Sequence, residues 1–599
     1  MEKTATEFVK YLNTLHRCGG NNKNSTAESN HNQIFAHDIL GPEDDLKEKI
    51  EYDLFHGDGK VLLTGFAGDG KTTLAQMLVE ELTEGNSLNN PIEEFYIQKY
   101  NKTLVVIKDL SENRIQDNDE IVTRYLLNKQ VSLLIVSNTG AVIYRMKEAY
   151  KLLKEPNKIA IENKILDGIS TKNSDSYGTI SLEDIKINVI NLVKHDNIPT
   201  AKVILEKIVM HPAWDILDPS TDQYHPILLN IKALKQSYVR DRLFLMYQRL
   251  FEYDNRFTLR NFIEHFSYII TGNLKLEDKV NNPDEYLFYN NVFGSFESFD
   301  KKDIISNNIT IIRNIRNQYF GTNISPTWKR AVWNKTDNTI YENIFEPFQP
   351  YFSYCRENGY SNGQNINRIK LYRLIYFLIS PSCMNDVFLN SFLNSPGLSL
   401  WRKIQNNNNL TNTENIALFN NLRHTIKEYF AGLKLPANET GENKDKVYVT
   451  MSRRKNIRQS AQVVLGQFSW VNDTKVKIDV YKDFRGRNQF RLLRIKETSN
   501  KSFKSADFTN DDCISLLLPL PFLDFLLNAN SGNLLDQNYQ YFQKRLDFFK
   551  NEMIANQIDK ELYERSNLLL VRLKPDRNLG DLNFELVDSN NNEKILEVH

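Results

Sequence analysis

Four cysteines in 599 residues, Cys18, Cys355, Cys383 and Cys513, are too scattered to form a disulfide framework. None is placed with the C-x-x-C spacing of a zinc site. A long apolar run is also missing. The most apolar stretch, "ISLLLPLPFLDFLL" from Ile514 to Leu527, is too short for a membrane span and is interrupted by two prolines and an aspartate. Net charge is absent as well: 75 basic residues balance 75 acidic ones, so whole-chain charge selects no partner. What remains is a chain of ordinary soluble composition, expected in a reducing cytoplasm without membrane contact and long enough for three or four domains.

Against these absences stands a repetition. Gly-Asp-Gly-Lys occurs at residues 57–60 and again at 68–71. A phosphate cradle needs a buried strand, glycines whose amides turn inward and a helix N-terminus facing the anion. The second copy meets all three requirements. Val61, Leu62 and Leu63 form the apolar run, Gly65 to Thr72 matches G-x-x-x-x-G-K-[ST], and Leu74, Met77, Leu78 and Leu82 follow at helical spacing. The first copy precedes the strand, lacks Ser or Thr after its lysine and opens no helix, so it reads as a turn.

The motif assigns roles. Lys71 reaches the β- and γ-phosphates of ATP, Thr72 offers its hydroxyl to Mg²⁺, and Gly65, Gly68, Asp69, Gly70 and Thr73 complete the cradle. Three further buried strands are expected, in "TLVVIKD", "VSLLIVSN" and "IKINVINL", alternating with helices in a parallel α/β sheet. Asp109 at the end of the first suits the Mg²⁺ shell, the alternative being a cap on the next turn. Because Leu110 rather than glutamate follows, Glu112 is the candidate for activating water. Only 37 residues separate Thr72 from Asp109, so the strand order is open.

Asn138 ends "LLIVSN" where a polar sensor would orient water against the γ-phosphate, though with Gly140 it would equally serve a turn. Ring-forming ATPases of the AAA+ type supply an arginine from the following segment. No arginine lies between Arg145 and Arg240, which leaves Arg145 for that task. Apolar helical spacing continues through "VRDRLFLMYQRL" and "FTLRNFIEHFSYIITG", with Thr258 as N-cap and Arg260 either reaching the nucleotide from a lid or solvated on its surface.

Together "GFAGDGKTT", "IKDLSE", "VSNTG", "INLVKHD", "RFTLRNFIEHFSYIITG" and "YLFYNNVFG" resemble DptF-like ATPases of the bacterial systems that restrict DNA lacking phosphorothioate marks, and related anti-phage defence ATPases. The resemblance spans roughly residues 40 to 295. It implies a P-loop NTPase with an AAA+-like sheet and helical lid, other defence-system subunits and double-stranded DNA as partners, and copies of the same chain where rings form. The expected organisation is an N-terminal helix and linker over 1–36, the NTPase core over 37–200, the lid over 201–295, an α-helical domain over 296–440 and a basic α+β domain over 447–599.

That last domain breaks the neutrality. Lys444 to Lys504 holds sixteen lysines and arginines against five acids, a local charge of +11. Strands are expected in "AQVVLGQFSW", "VKIDVYKDF" and "FRLLRIK", with Val476, Ile478 and Val480 turned to the core and a basic face opposite. Arg453, Arg454, Lys455, Arg458, Lys475 and Lys477 are the candidate nucleic-acid contacts, the alternative being a solvated face or one that meets an acidic partner. Two other functions compete with an ATPase: a nucleotide-binding scaffold with little turnover, and a small-molecule kinase whose acceptor pocket the sequence does not display.

Overall fold

The computed structural model describes residues 4–16, 35–39, 44–57, 59–108, 118–152, 158–170, 177–182, 185–219, 221–294, 304–334, 336–359, 365–431, 446–450, 461–469, 476–483, 487–496, 512–530, 539–555, 567–573, 582–588 and 596–598. The chain divides into two compact units, Met1–Asn394 and Ser395–His599. The segment expected as one helical domain over 296–440 is therefore shared between them.

The first unit is built on a six-stranded sheet. Its strands are β1 (Lys60–Thr64), β2 (Ile92–Ile97), β3 (Lys102–Lys108), β4 (Val131–Ser137), β5 (Tyr177–Leu182) and β6 (Ile185–Asn191), in the spatial order β2-β3-β4-β1-β6-β5. The inner four are parallel, whereas β2 and β5 join the two edges antiparallel. The expected parallel sheet is thus a mixed one. The 37-residue interval after Thr72 is accommodated because the helix Lys71–Leu82 is followed by β2, which turns directly back into β3 through residues 98–101 without a crossover helix.

The parallel strands are continuous apolar runs because both faces are covered. Leu62, Val105, Ile107, Leu133, Ile135 and Val189 pack on one side against Val122, Leu126, Ile165 and Ile169. Val61, Leu63, Leu104, Val106, Leu134, Val136 and Ile190 pack on the other against Ile50, Leu54, Leu74 and Leu78. Register aligns Thr64 of β1 with Ser137 of β4 and Asn191 of β6, so three carboxyl ends share one edge. In parallel α/β sheets that edge is where ligands are met.

Helices Asn197–Val209, Pro226–Leu234, Ser237–Glu252 and Leu259–Thr271 follow the sheet. Thr258 caps the last of these: its hydroxyl accepts from the Asn261 amide while the Asn261 side chain accepts from the Thr258 amide. The N-terminal helix Ala5–His16 docks on the same helix. Thr271 Oγ1 donates to Asn13 Oδ1 at 2.7 Å, and Asn13 Nδ2 donates to the Leu274 carbonyl at 2.8 Å.

In the second unit β9 (Val476–Lys482), β10 (Asn488–Ile495) and β11 (Cys513–Leu518) form an antiparallel sheet in the order β11-β10-β9. Strands β7 (Lys446–Thr450), β8 (Ala461–Ser469), β12 (Asn567–Leu573), β13 (Leu582–Asp588) and β14 (Leu596–Val598) form a second, in the order β14-β13-β12-β8-β7. The apolar stretch from Ile514 to Leu527 breaks at its first proline into β11 and the helix Leu520–Asn530. Phe542, Leu546, Phe549 and Met553 of the helix Tyr539–Ala555 are buried in this unit's core, as their spacing anticipates. Among the described residues no helix is long and apolar enough to cross a membrane.

Candidate functional site

The Gly65–Thr72 loop joins the carboxyl end of β1 to the helix Lys71–Leu82. Gly68 and Gly70 both take left-handed backbone, with φ of 89° and 83°. Space as well as conformation demands glycine here: a Cβ on Gly68 would lie 3.0 Å from Thr258 Oγ1, and one on Gly70 would lie 3.2 Å from Leu259 Cδ1. Since Gly70 is the N-cap, no side chain caps the helix. Such an end, with its positive dipole, favours an anion.

Lys71 lies across the loop. Its ammonium donates to the Phe66 carbonyl at 2.7 Å, to Asn138 Oδ1 at 3.0 Å and to the Gly65 carbonyl at 3.2 Å. The structure therefore brings Lys71 and Asn138 together from neighbouring strands. These three acceptors are neutral oxygens, and an anionic oxygen is the stronger partner for an ammonium. Thr72 and Thr73 occupy the first turn of the helix and are half-buried. Thr64 and Thr139 hydroxyls, 3.0 Å apart, bridge the ends of β1 and β4.

The loop's acid is held by a residue that the sequence pattern did not single out. Asp69 is buried, and its Oδ2 accepts from the Phe66 amide at 2.8 Å. Its Oδ1 accepts from Arg256 Nη1 at 3.1 Å and from Asn197 Nδ2 at 3.4 Å. Arg256 also donates to the Leu192 carbonyl at 2.6 Å, and its guanidinium lies 5.5 Å from the Phe66 ring. A buried carboxylate without a cation is costly, and Arg256 offsets the charge of Asp69 inside the loop. The signal was present: an acid inside the motif requires a cation, and Arg256 begins the "RFTLRNF" stretch. Arg260, the arginine expected to reach the nucleotide, sits on the loop through its backbone, its amide donating to the Gly68 carbonyl at 3.2 Å.

Asp109 and Glu112 lie outside the described residues, as do Arg453, Arg454, Lys455, Arg458 and Lys475. Arg145 is half-buried on the helix Thr139–Leu152, its guanidinium 5.7 Å from the ring of Tyr144. Lys477 is half-buried on β9. The face it shares is not uniformly basic. Asp479 on β9 accepts two hydrogen bonds from Arg491 on β10, at 2.7 and 3.0 Å, and Leu493, Ile495 and Cys513 make a buried apolar cluster on the sheet. Of the three β9 side chains expected in the core, Val476 is buried, Ile478 is half-buried and Val480, near the strand's end, is exposed. The expectation of a clean core face and basic face is corrected accordingly.

Behind the loop, Glu264 is buried one turn after Arg260. Burial pushes its carboxyl up to about 7, against the opposing pull of Arg260 and the Asn261 amide. Among the described residues no cluster of three or more His, Cys, Asp or Glu side chains could hold a metal by protein ligands alone. Family models, curated proteins and solved structures yield no match to this chain.

Proposed function

We propose that the chain is a P-loop ATPase that binds ATP in the Gly65–Thr72 loop and hydrolyses the γ-phosphate. The observation that carries this reading is the position of Lys71 at the carboxyl edge of the parallel inner strands, 3.0 Å from Asn138, which follows the neighbouring strand β4. Lys71 would neutralise the β- and γ-phosphates, and Asn138, able to donate and accept, would orient the attacking water. Mg²⁺ would arrive with the phosphates, and Thr72 is the described residue that fits it, through its hydroxyl. Asp109 would complete the metal shell and Glu112 would activate water. Arg256 and Arg260 would report loop occupancy to the helices that follow the sheet.

The resemblance to DptF-like ATPases supports a role for this activity in a bacterial restriction or anti-phage complex, where ATP turnover would drive assembly or action on double-stranded DNA through the basic carboxyl-terminal segment. A second reading is favoured by the bonds from residues 256–260 to the loop: a nucleotide-held scaffold with little turnover, in which ATP sets the position of the lid. Steady-state ATP turnover with and without double-stranded DNA, with Lys71→Ala as blank, separates the two. Turnover stimulated by DNA supports the coupled ATPase. Tight ATP binding without turnover above the blank supports the scaffold, and no binding at all removes both.

A further inference from the structure

A cavity lies far along the first unit's chain. A pocket of about 920 Å³ opens between the helices Pro326–Trp333 and Asn365–Leu378. Its volume is within the range of small-molecule sites, roughly 300–1,000 Å³. Its charged lining residues are Lys329, Arg330 and Arg368, and no acid is found among the described lining. Lys329 and Arg330 are exposed and make no ion pair among the described residues. Lys329 and Arg330, two exposed cations on one cavity, repel one another unless an anion joins them.

The pocket also has a fixed aromatic wall. Trp333 Nε1 donates to the Tyr372 hydroxyl at 3.2 Å, and the Arg368 guanidinium lies 5.9 Å from the indole. Arg368 Nε in turn donates to the Gly359 carbonyl at 2.7 Å. A Cβ on Gly359 would fall 2.6 Å from Trp333 Cη2, so glycine is what lets the backbone close on the ring. Indole and guanidinium planes held this way stack planar bases with little ordering cost, and the exposed cations suit phosphate. A phosphorylated peptide would engage the cations but leave the indole idle.

We propose that this pocket binds a nucleotide unit, its base against Trp333 and Arg368 and its phosphate on Lys329 and Arg330. The unit is either a free nucleotide or one residue of single-stranded nucleic acid. The site is separate from the phosphate loop, so it is tested in protein carrying Lys71→Ala. AMP by calorimetry and a fluorescein-labelled ten-residue oligothymidylate by anisotropy are the two probes. At least one is expected to bind, and Lys329→Glu/Arg330→Glu is expected to weaken it by about tenfold or more. Trp333→Phe, which keeps a ring, is expected to weaken it less. Preference for AMP assigns the pocket to free nucleotide, and preference for the oligonucleotide assigns it to a single strand. Both replaced cations are exposed, and thermal melting of the variant checks that the fold is kept. Failure of both probes to bind, or binding that the charge reversal leaves unchanged, overturns the proposal whatever the fate of the phosphate loop.

Discussion

The same four residues, Gly-Asp-Gly-Lys, stand at opposite ends of β1 and do different work. At residues 57–60 the tetrapeptide leads into the strand. Lys60 is buried there, and its ammonium donates to the carbonyls of Tyr125, Asn128 and Val131 at 2.7 to 2.9 Å. These carbonyls belong to the end of the helix Asn118–Leu127, the turn after it and the first residue of β4. The lysine therefore closes a helix C-terminus, where a cation is favoured. At residues 68–71 the tetrapeptide leaves the strand and opens a helix. Here the lysine's acceptors among the described residues include two loop carbonyls and one side-chain amide. The difference lies in the residues after each lysine: an apolar β-run follows the first, and Thr72 with a helix follows the second.

The largest effect should separate the two lysines by function. Lys71→Ala is expected to lower ATP turnover by about a thousandfold, on the order of 4 kcal/mol of transition-state stabilisation, with a melting temperature close to that of the parent. Lys60→Met should do the reverse. Loss of three charge-assisted hydrogen bonds is expected to cost about 3–4 kcal/mol in urea unfolding, while the folded fraction keeps its affinity for a fluorescent ATP analogue. A Lys60 variant that lost affinity without losing stability would break the distinction.

Arg256 sharpens it, because it pairs with the second copy's aspartate. Arg256→Ala leaves Asp69 buried without its cation, at an expected cost of about 3 kcal/mol in urea unfolding. Asp69→Asn in the same protein removes the stranded charge and should return part of that loss. If the double variant were no more stable than Arg256→Ala alone, the pair would not be what justifies an acid in the loop.

Much of this was legible locally. β1, β3, β4 and β6 could be read because burial on both faces writes an uninterrupted apolar run, and the helix Leu259–Thr271 could be read down to its Thr258 cap. The edge strands were not anticipated. "IEEFYI" mixes acids with aromatics, and "YGTISL" carries no run, since each strand has one neighbour and one open side. In the site, the proximity of Lys71 and Asn138 accords with their places after neighbouring strands. The need of Asp69 for a cation was legible from the motif, but not which arginine meets it, because Arg256 lies 187 residues away and local pattern carries no information at that separation. On β9 the strand was legible but neither the burial of its alternate residues nor the cross-strand Asp479–Arg491 pair, which depends on register.

The smallest expected effect sets the two copies apart by pH. Glu264 lies on the helix that meets the second copy, and burial raises its carboxyl from an ordinary 4.5 to about 7. Between those values the folded protein binds more protons at this group than the unfolded chain, so its contribution to stability is full below 4.5 and is lost as pH rises through 7. Glu264→Gln should flatten that decline and raise stability at pH 8 by about 2 kcal/mol. Lys60 titrates in a different window. Burial, with Lys102 nearby, lowers its ammonium from 10.5 to about 8. There the unfolded chain holds more protons than the folded one, so this contribution rises with pH between 8 and 10.5. Urea unfolding from about pH 4.5 to 10 should therefore resolve two slopes of opposite sign, the lower abolished by Glu264→Gln and the upper by Lys60→Met. A Glu264→Gln protein that kept the lower slope would place the titrating group elsewhere and uncouple the helix behind the loop from the chemistry of the second copy.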